Sequence, residues 1–228
     1  MGNARRIGLM LVVGVGIAAV AWGQKMAQPP PMMGEFKPIV GSGAQYAISA
    51  KDHKSTWSYA VVGKESVQGQ EGYWLEMRME GGKEGNVIMK QLLVTQGGKP
   101  GIKRMIMQSP GQAPMEMPMT MMGMMKGEEK GKEKASSEGM GVKVGTEPVI
   151  VPAGTFLCDH YRSNTKAGTA DLWVSAKVAP YGMVKMTSAD MSMVLVKVLA
   201  NETSHIKGEP QKMPGMGGGM EGQWSDEK

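Results

Sequence analysis

The sequence predicts a mainly β fold, a single antiparallel, strongly curved sheet or half-barrel of about ten strands. Three observations lead there. Short runs rich in β-branched and aromatic residues recur about every ten residues between glycine- or lysine-rich turns, with no helix-period segment between them. In Tyr73-Trp74-Leu75-Glu76-Met77-Arg78-Met79-Glu80 the odd positions are apolar and the even ones mostly charged, the period of a strand with one wet face. From Glu147 to Lys185 three strand signals and two turn signals follow one another without a break.

The elements follow in chain order. Met1 to Gly23 carries Arg5 and Arg6, an apolar run from Ile7 to Val20 and the small-residue end Ala21-Trp22-Gly23, the pattern of a secretory signal. The run is shorter than the roughly 20 residues a spanning helix needs, so a periplasmic or secreted chain with no integral membrane segment after cleavage is expected. Gln24 to Gly43 is rich in proline, glycine and methionine and reads as an extended lead-in. Strands are predicted at Ala44–Ala50, Thr56–Val62, Tyr73–Glu80, Asn86–Thr95 and Ile102–Met107, paired consecutively. Leu75, Met77 and Met79 are expected to point inward.

Gln108 to Gly141 breaks the rhythm with a methionine-rich stretch and then a lysine-glutamate run, and is expected to be a low-complexity insertion looped out of the sheet. Strands resume at Val142–Thr146. Val149–Val151 and Phe156–Arg162 form a hairpin around Pro152-Ala153-Gly154-Thr155, and Asp171–Ser175 ends before the Ala179-Pro180 step. Gly182–Thr187 and Met191–Ala200 complete a domain spanning 44–206, the last strand reading as buried on both faces. Residues 207–228 form a glycine-rich polar tail.

Charge narrows the partner classes. The chain carries +5, and without residues 1–23 it keeps 24 basic against 21 acidic residues, +3. Lysines alternate with glutamates rather than gathering on one face, so no nucleic-acid partner is expected. The single cysteine, Cys158, closes no internal disulfide, and stability must come from an apolar core. No phosphate loop, nucleophile elbow or paired-carboxylate motif stands in the sequence, and a non-enzymatic binding protein is expected.

Gly154-Thr155-Phe156-Leu157-Cys158, Leu172-Trp173-Val174-Ser175 and Pro180-Tyr181-Gly182-Met183-Val184-Lys185 resemble exported bacterial domains grouped with the LolA/LppX-like, periplasmic lipoprotein-carrier-like superfamily. The resemblance is tightest from Glu147 to Lys185 and architectural over the earlier strands. It implies a half-barrel sheet over an apolar cavity that receives the acyl chains of lipids or lipoproteins. On that reading the lining includes Trp57, Tyr59, Leu75, Met77, Met79 and Trp173, and an envelope protein is a further partner.

Methionine is the compositional anomaly, 25 residues in 228. Met115, Met117, Met119, Met121, Met122, Met124 and Met125 crowd into the insertion. Thioethers are soft, neutral ligands that suit Cu(I) or Ag(I), so metal binding by the stretch from Met105 to Met125 is the alternative to an apolar ligand. No other cofactor is expected. Methionine also serves as an adaptable apolar filler, in which case the segment is a linker. Cys158 and His160, two apart on one strand, share a face and are the remaining metal-ligand candidates; their plainer roles are a core thiol and a strand-end imidazole. A structural scaffold with no small ligand is the third reading.

Overall fold

The computed structural model describes residues 34–50, 53–82, 85–96, 99–118, 141–165 and 168–212. The signal region, the lead-in before Gly34, residues 119–140 of the insertion and the tail from 213 lie outside them. Among the described residues the chain is all β. The strands are β1 (Gly43–Ala50), β2 (His53–Val67), β3 (Gln70–Gly82), β4 (Gly85–Gln96), β5 (Lys99–Gln108), β6 (Met115–Glu116), β7 (Val142–Val151), β8 (Gly154–Thr165), β9 (Gly168–Val174), β10 (Met183–Thr187), β11 (Met191–Leu199) and β12 (Gln211–Lys212). They form one open sheet in the order β12-β6-β5-β4-β3-β2-β1-β11-β10-β9-β8-β7, not closed into a barrel. All neighbours are antiparallel except β12 and β6, which makes the sheet mixed. No helix among the described residues is long and apolar enough to cross a membrane.

Two meanders make up the sheet. β1 to β6 is one, β7 to β11 the other, and β11 returns to pair with β1 along its whole length. Their hairpins are local. Val67 pairs with Gln70 across Gln68 and Gly69, whose φ angles of 51° and 77° give the left-handed pair that a type I′ turn requires. Val151 pairs with Gly154 across Pro152-Ala153, so the predicted hairpin is present with a two-residue turn, Gly154 and Thr155 belonging to the ladder rather than to the turn. The edge strand β7 tolerates Pro148 because its outer edge has no ladder to feed.

A lone sheet buries a face only by curling over it. β7 comes against β10 and β11, and one apolar cluster draws Tyr46, Tyr59, Leu75, Leu172, Met193 and Leu195 from both meanders. Leu172, Met193 and Leu195 are fully buried, each contributing on the order of 1.5–3 kcal/mol. The Tyr46 hydroxyl donates to the Met183 carbonyl at 2.9 Å, reaching past β11 to tie β1 to β10. The lead-in joins this core: Phe36 packs on Tyr181 with centroids 5.3 Å apart, and the Lys37 amide donates to the Pro180 carbonyl at 2.7 Å.

The second face departs from expectation. Trp74 and Glu76, on the side predicted to be wet, are buried because residues 202–212 cross that outer face as an extended strap. Glu76 accepts from the Ser204 hydroxyl at 2.8 Å and from the His205 amide at 3.0 Å. Arg78 pairs with Glu202 at 3.0 Å, and Ile206 packs on the cluster of Trp74, Leu92 and Ile106. β11, by contrast, is buried on one face only, with Val198 exposed on the other.

Candidate functional site

Strand register sorts the inner face into rows, because direct cross-strand partners lie on the same side of a sheet. Leu195, Tyr46, Trp57, Met79 and Val87 form one row. Ala44, Tyr59, Met77, Met89, Met107 and Met115 form the next, and Leu75, Gln91 and Met105 flank it. The rows are not equally covered. Toward β1 and β11 the side chains are fully buried, and the interior there is filled by protein. Toward β3 to β6 the face opens, and Trp57, Met79, Met89, Met105, Met107 and Met115 are each half-buried.

Five of the six residues expected to line a ligand, Trp57, Tyr59, Leu75, Met77 and Met79, therefore meet on one face of β2 and β3. Trp173 does not join them. Its partner row runs through Lys185, Val194, Ala47 and Thr56, and Thr56 and Trp57 are strand neighbours that face opposite ways. Trp173 stacks on His160 with centroids 4.3 Å apart and has Lys185 Nζ 5.0 Å over its ring. On this outer face Ala47, Ser49, Thr56, Glu80, Ser192 and Val194 line an open groove of about 620 Å³. Its small hydroxyl-bearing walls differ in kind from the methionine-rich inner face.

Tyr59 is the member of the set with an unsatisfied polar atom. Its hydroxyl is buried with no hydrogen-bond partner among the described residues, and burial drives its pKa well above the ordinary phenol value. Burial also pushes Tyr181 up to about 12. Both stay neutral phenols near neutral pH, which suits an apolar interior.

The metal candidates separate. Met115 belongs to β6, where it pairs with Met107, and the amide of the buried Met117 donates to the Met105 carbonyl at 2.9 Å. The stretch from Gln108 to Pro118 is thus part of the sheet's margin. Met119, Met121, Met122, Met124 and Met125 lie outside the described residues. Cys158 and His160 share a face of β8, yet their polar atoms turn elsewhere. The fully buried thiol points to the Phe156 carbonyl at 3.5 Å, and burial, then the charges of Asp159 and Glu147, push it up to about 11. The imidazole sits with Nε2 2.7 Å from Asp171 and Nδ1 3.3 Å from Glu147. Burial draws the Asp171 carboxyl upward, but hydrogen bonds from Arg162 and His160 outweigh it and hold that group below the usual aspartate value. Among the described residues no three His, Cys, Asp or Glu side chains gather where they could hold a metal ion.

No family model matches the chain, and no curated protein matches it. Two solved structures show a distant likeness. One is a candidate lipoprotein from Parabacteroides distasonis, 12% identical, with a TM-score of 0.37 over 75% of this chain and 100% of that one. The other is a candidate exported protein with a YmcC-like fold from Bacteroides fragilis, 13% identical, with a TM-score of 0.35 over 73% of this chain and 99% of that one.

Met89 is an inner-face residue that sequence reasoning did not single out, and Met105 and Met107 entered it only as the start of the methionine-rich stretch, not as part of the inner face. The signal was there in part: Met77, Met79, Met105 and Met107 alternate within their strands. Only the register across β3, β4 and β5 brings them side by side, and register between strands is not written in the spacing within one strand.

Proposed function

We propose that the chain is an exported, non-enzymatic binding protein that lays an apolar ligand against the open half of its inner face. The observation that carries this reading is the band of half-buried apolar side chains, Trp57, Met79, Met89 and Met107, that continues the inner apolar cluster out to its exposed margin. A contiguous apolar patch of that kind marks an interaction site more often than idle surface. Unbranched, flexible methionines suit a ligand of variable shape. The resemblance to LolA/LppX-like carriers points to an acyl chain of a lipid or lipoprotein, and residues 1–23 support delivery to the periplasm or beyond. A non-catalytic role fits the commitments of Cys158 and His160 to the fold.

Native mass spectrometry of the chain purified from an exporting host should show a co-purified lipid, and a fluorescent fatty acid should bind reversibly. Met89→Lys, which places a charge on the open band, should weaken that uptake at least about tenfold, the cost of about 1.4 kcal/mol or more for desolvating a charge against the ligand. A chain that carries no lipid and ignores the probe would leave the scaffold reading in its place.

A further inference from the structure

From the row of methionines we infer a binding site for a soft monovalent cation, Cu(I) or Ag(I), on the sheet itself, built by Met77, Met89, Met107 and Met115. These four side chains come from four consecutive strands and are direct register partners, Met77 with Met89, Met89 with Met107, and Met107 with Met115. Direct partners hold their Cβ atoms about 4.5–5.5 Å apart. Rotation about Cα–Cβ and Cβ–Cγ lets two or three neighbouring thioethers converge on one ion without moving the backbone, so Met89 and Met107 at the centre of the row are its constant ligands and Met77 or Met115, one on each side, completes the set.

Placement separates Met89, Met107 and Met115 from ordinary packing, while Met77, 4% exposed, ends the row on the core side. In β4 and β5 the buried positions are filled by the branched side chains Val87, Leu92, Leu93, Val94 and Ile106. Met89, Met105 and Met107 take half-buried positions of the same strands, where an ion can reach a sulfur. Met89 already acts as an acceptor: Gln91 Nε2 donates to its Sδ at 3.6 Å, so this sulfur faces a polar partner rather than being sealed into the core. The flanking Met105 offers a further donor two residues from Met107 on the same face.

Ligand chemistry sets the class of ion. Thioethers are neutral and bring no compensating negative charge, which favours a soft ion of single charge over Zn²⁺, Mg²⁺ or Ca²⁺. No proton leaves on binding, so affinity should persist at about pH 4, where imidazole ligands are protonated. This site overlaps the sequence expectation of an ion held between Met105 and Met125: it takes Met107 and Met115 from that stretch and adds Met77 and Met89 from the neighbouring strands.

The test is a titration of the chain with Ag(I), a redox-inert probe, read by the ε-methyl NMR signals of its methionines at neutral pH and at pH 4. Signals of Met89 and Met107, with that of Met77 or Met115, assigned by single Met→Leu changes, should shift together and saturate at one ion per chain. Met89→Leu with Met107→Leu keeps the apolar volume and should weaken Ag(I) by at least about tenfold, the loss found even when a group outside the ligand set is removed. A variant with Met119, Met121, Met122, Met124 and Met125 all changed to leucine should keep the site. Row signals that stay still, or a double variant that binds as the parent does, overturn the proposal. If the double variant fails to fold, the methyl signals of the parent chain decide alone. Lipid uptake with silent row signals would defeat this inference and leave the apolar-ligand reading intact; Ag(I) binding without lipid would do the reverse.

Discussion

At Cys158 burial decides the chemistry. A thiol reacts as its thiolate, and this one is fully buried with its acidity displaced from about 9 to about 11. Alkylation by iodoacetamide at pH 8 should therefore run at least about a hundredfold slower in the native chain than in guanidinium, since two pH units remove that much thiolate. Equal rates would show the side chain to be open. The same displacement fixes a sign for stability. The folded value lies above the unfolded one, so this group's contribution is complete below about pH 9 and falls as pH rises toward about 11. Cys158→Ala should flatten that part of a stability profile followed by urea unfolding. Sequence alone put Cys158 and His160 on one face of a strand, which holds. It did not reveal their partners, because Glu147 and Asp171 arrive from neighbouring strands, and pairing between strands is set by register rather than by local spacing.

Among the elements, the strap following β11 shows most clearly where sequence reasoning stopped. All the core strands were legible, because period-two alternation and β-branched runs are local signals. Residues 202–212 have no such period, yet they cover the outer face of β3 and end as a strand beside β6. A glutamate between Leu75 and Met77 looks solvated until Ser204 and His205 are found donating to it. Glu76 is 1% exposed, so its carboxylate holds the strap through bonds that are worth most when both ends are satisfied. Glu76→Gln keeps the shape and trades an acceptor for a donor facing the His205 amide. We expect hydrogen exchange across 202–207 to rise by about 5–30-fold, for a loss of about 1–2 kcal/mol, while β1 and β11 keep their protection. Unchanged exchange in the strap would mean that Ile206 and the Arg78–Glu202 pair suffice to hold it.

For the molecule as a whole, what matters is that neither meander can bury its inner face alone. Residues 43–50 of β1 pair with 191–199 of β11, the Tyr46 hydroxyl reaches Met183, and the apolar cluster mixes Tyr59 and Leu75 from the first half with Leu172 and Met193 from the second. The strap adds a second seam, since it belongs to the C-terminal half and lies on strands of the N-terminal one. These contacts join segments far apart in sequence, so they form after the local hairpins and make folding slow, on the millisecond to second scale typical of non-local β topologies. The covalent link between the halves, by contrast, contributes mainly loop-closure entropy, which grows only slowly with length. Producing residues 24–118 and 141–228 as two chains tests that division of labour. Expressed together they should co-purify as one complex with the β circular dichroism of the intact chain, and expressed singly each should be insoluble or unfolded, exposing the face the other half covers. A soluble, folded half on its own would show that the two meanders are separate cores. Failure to associate would show instead that the segment between Pro118 and Gly141 does more than connect them.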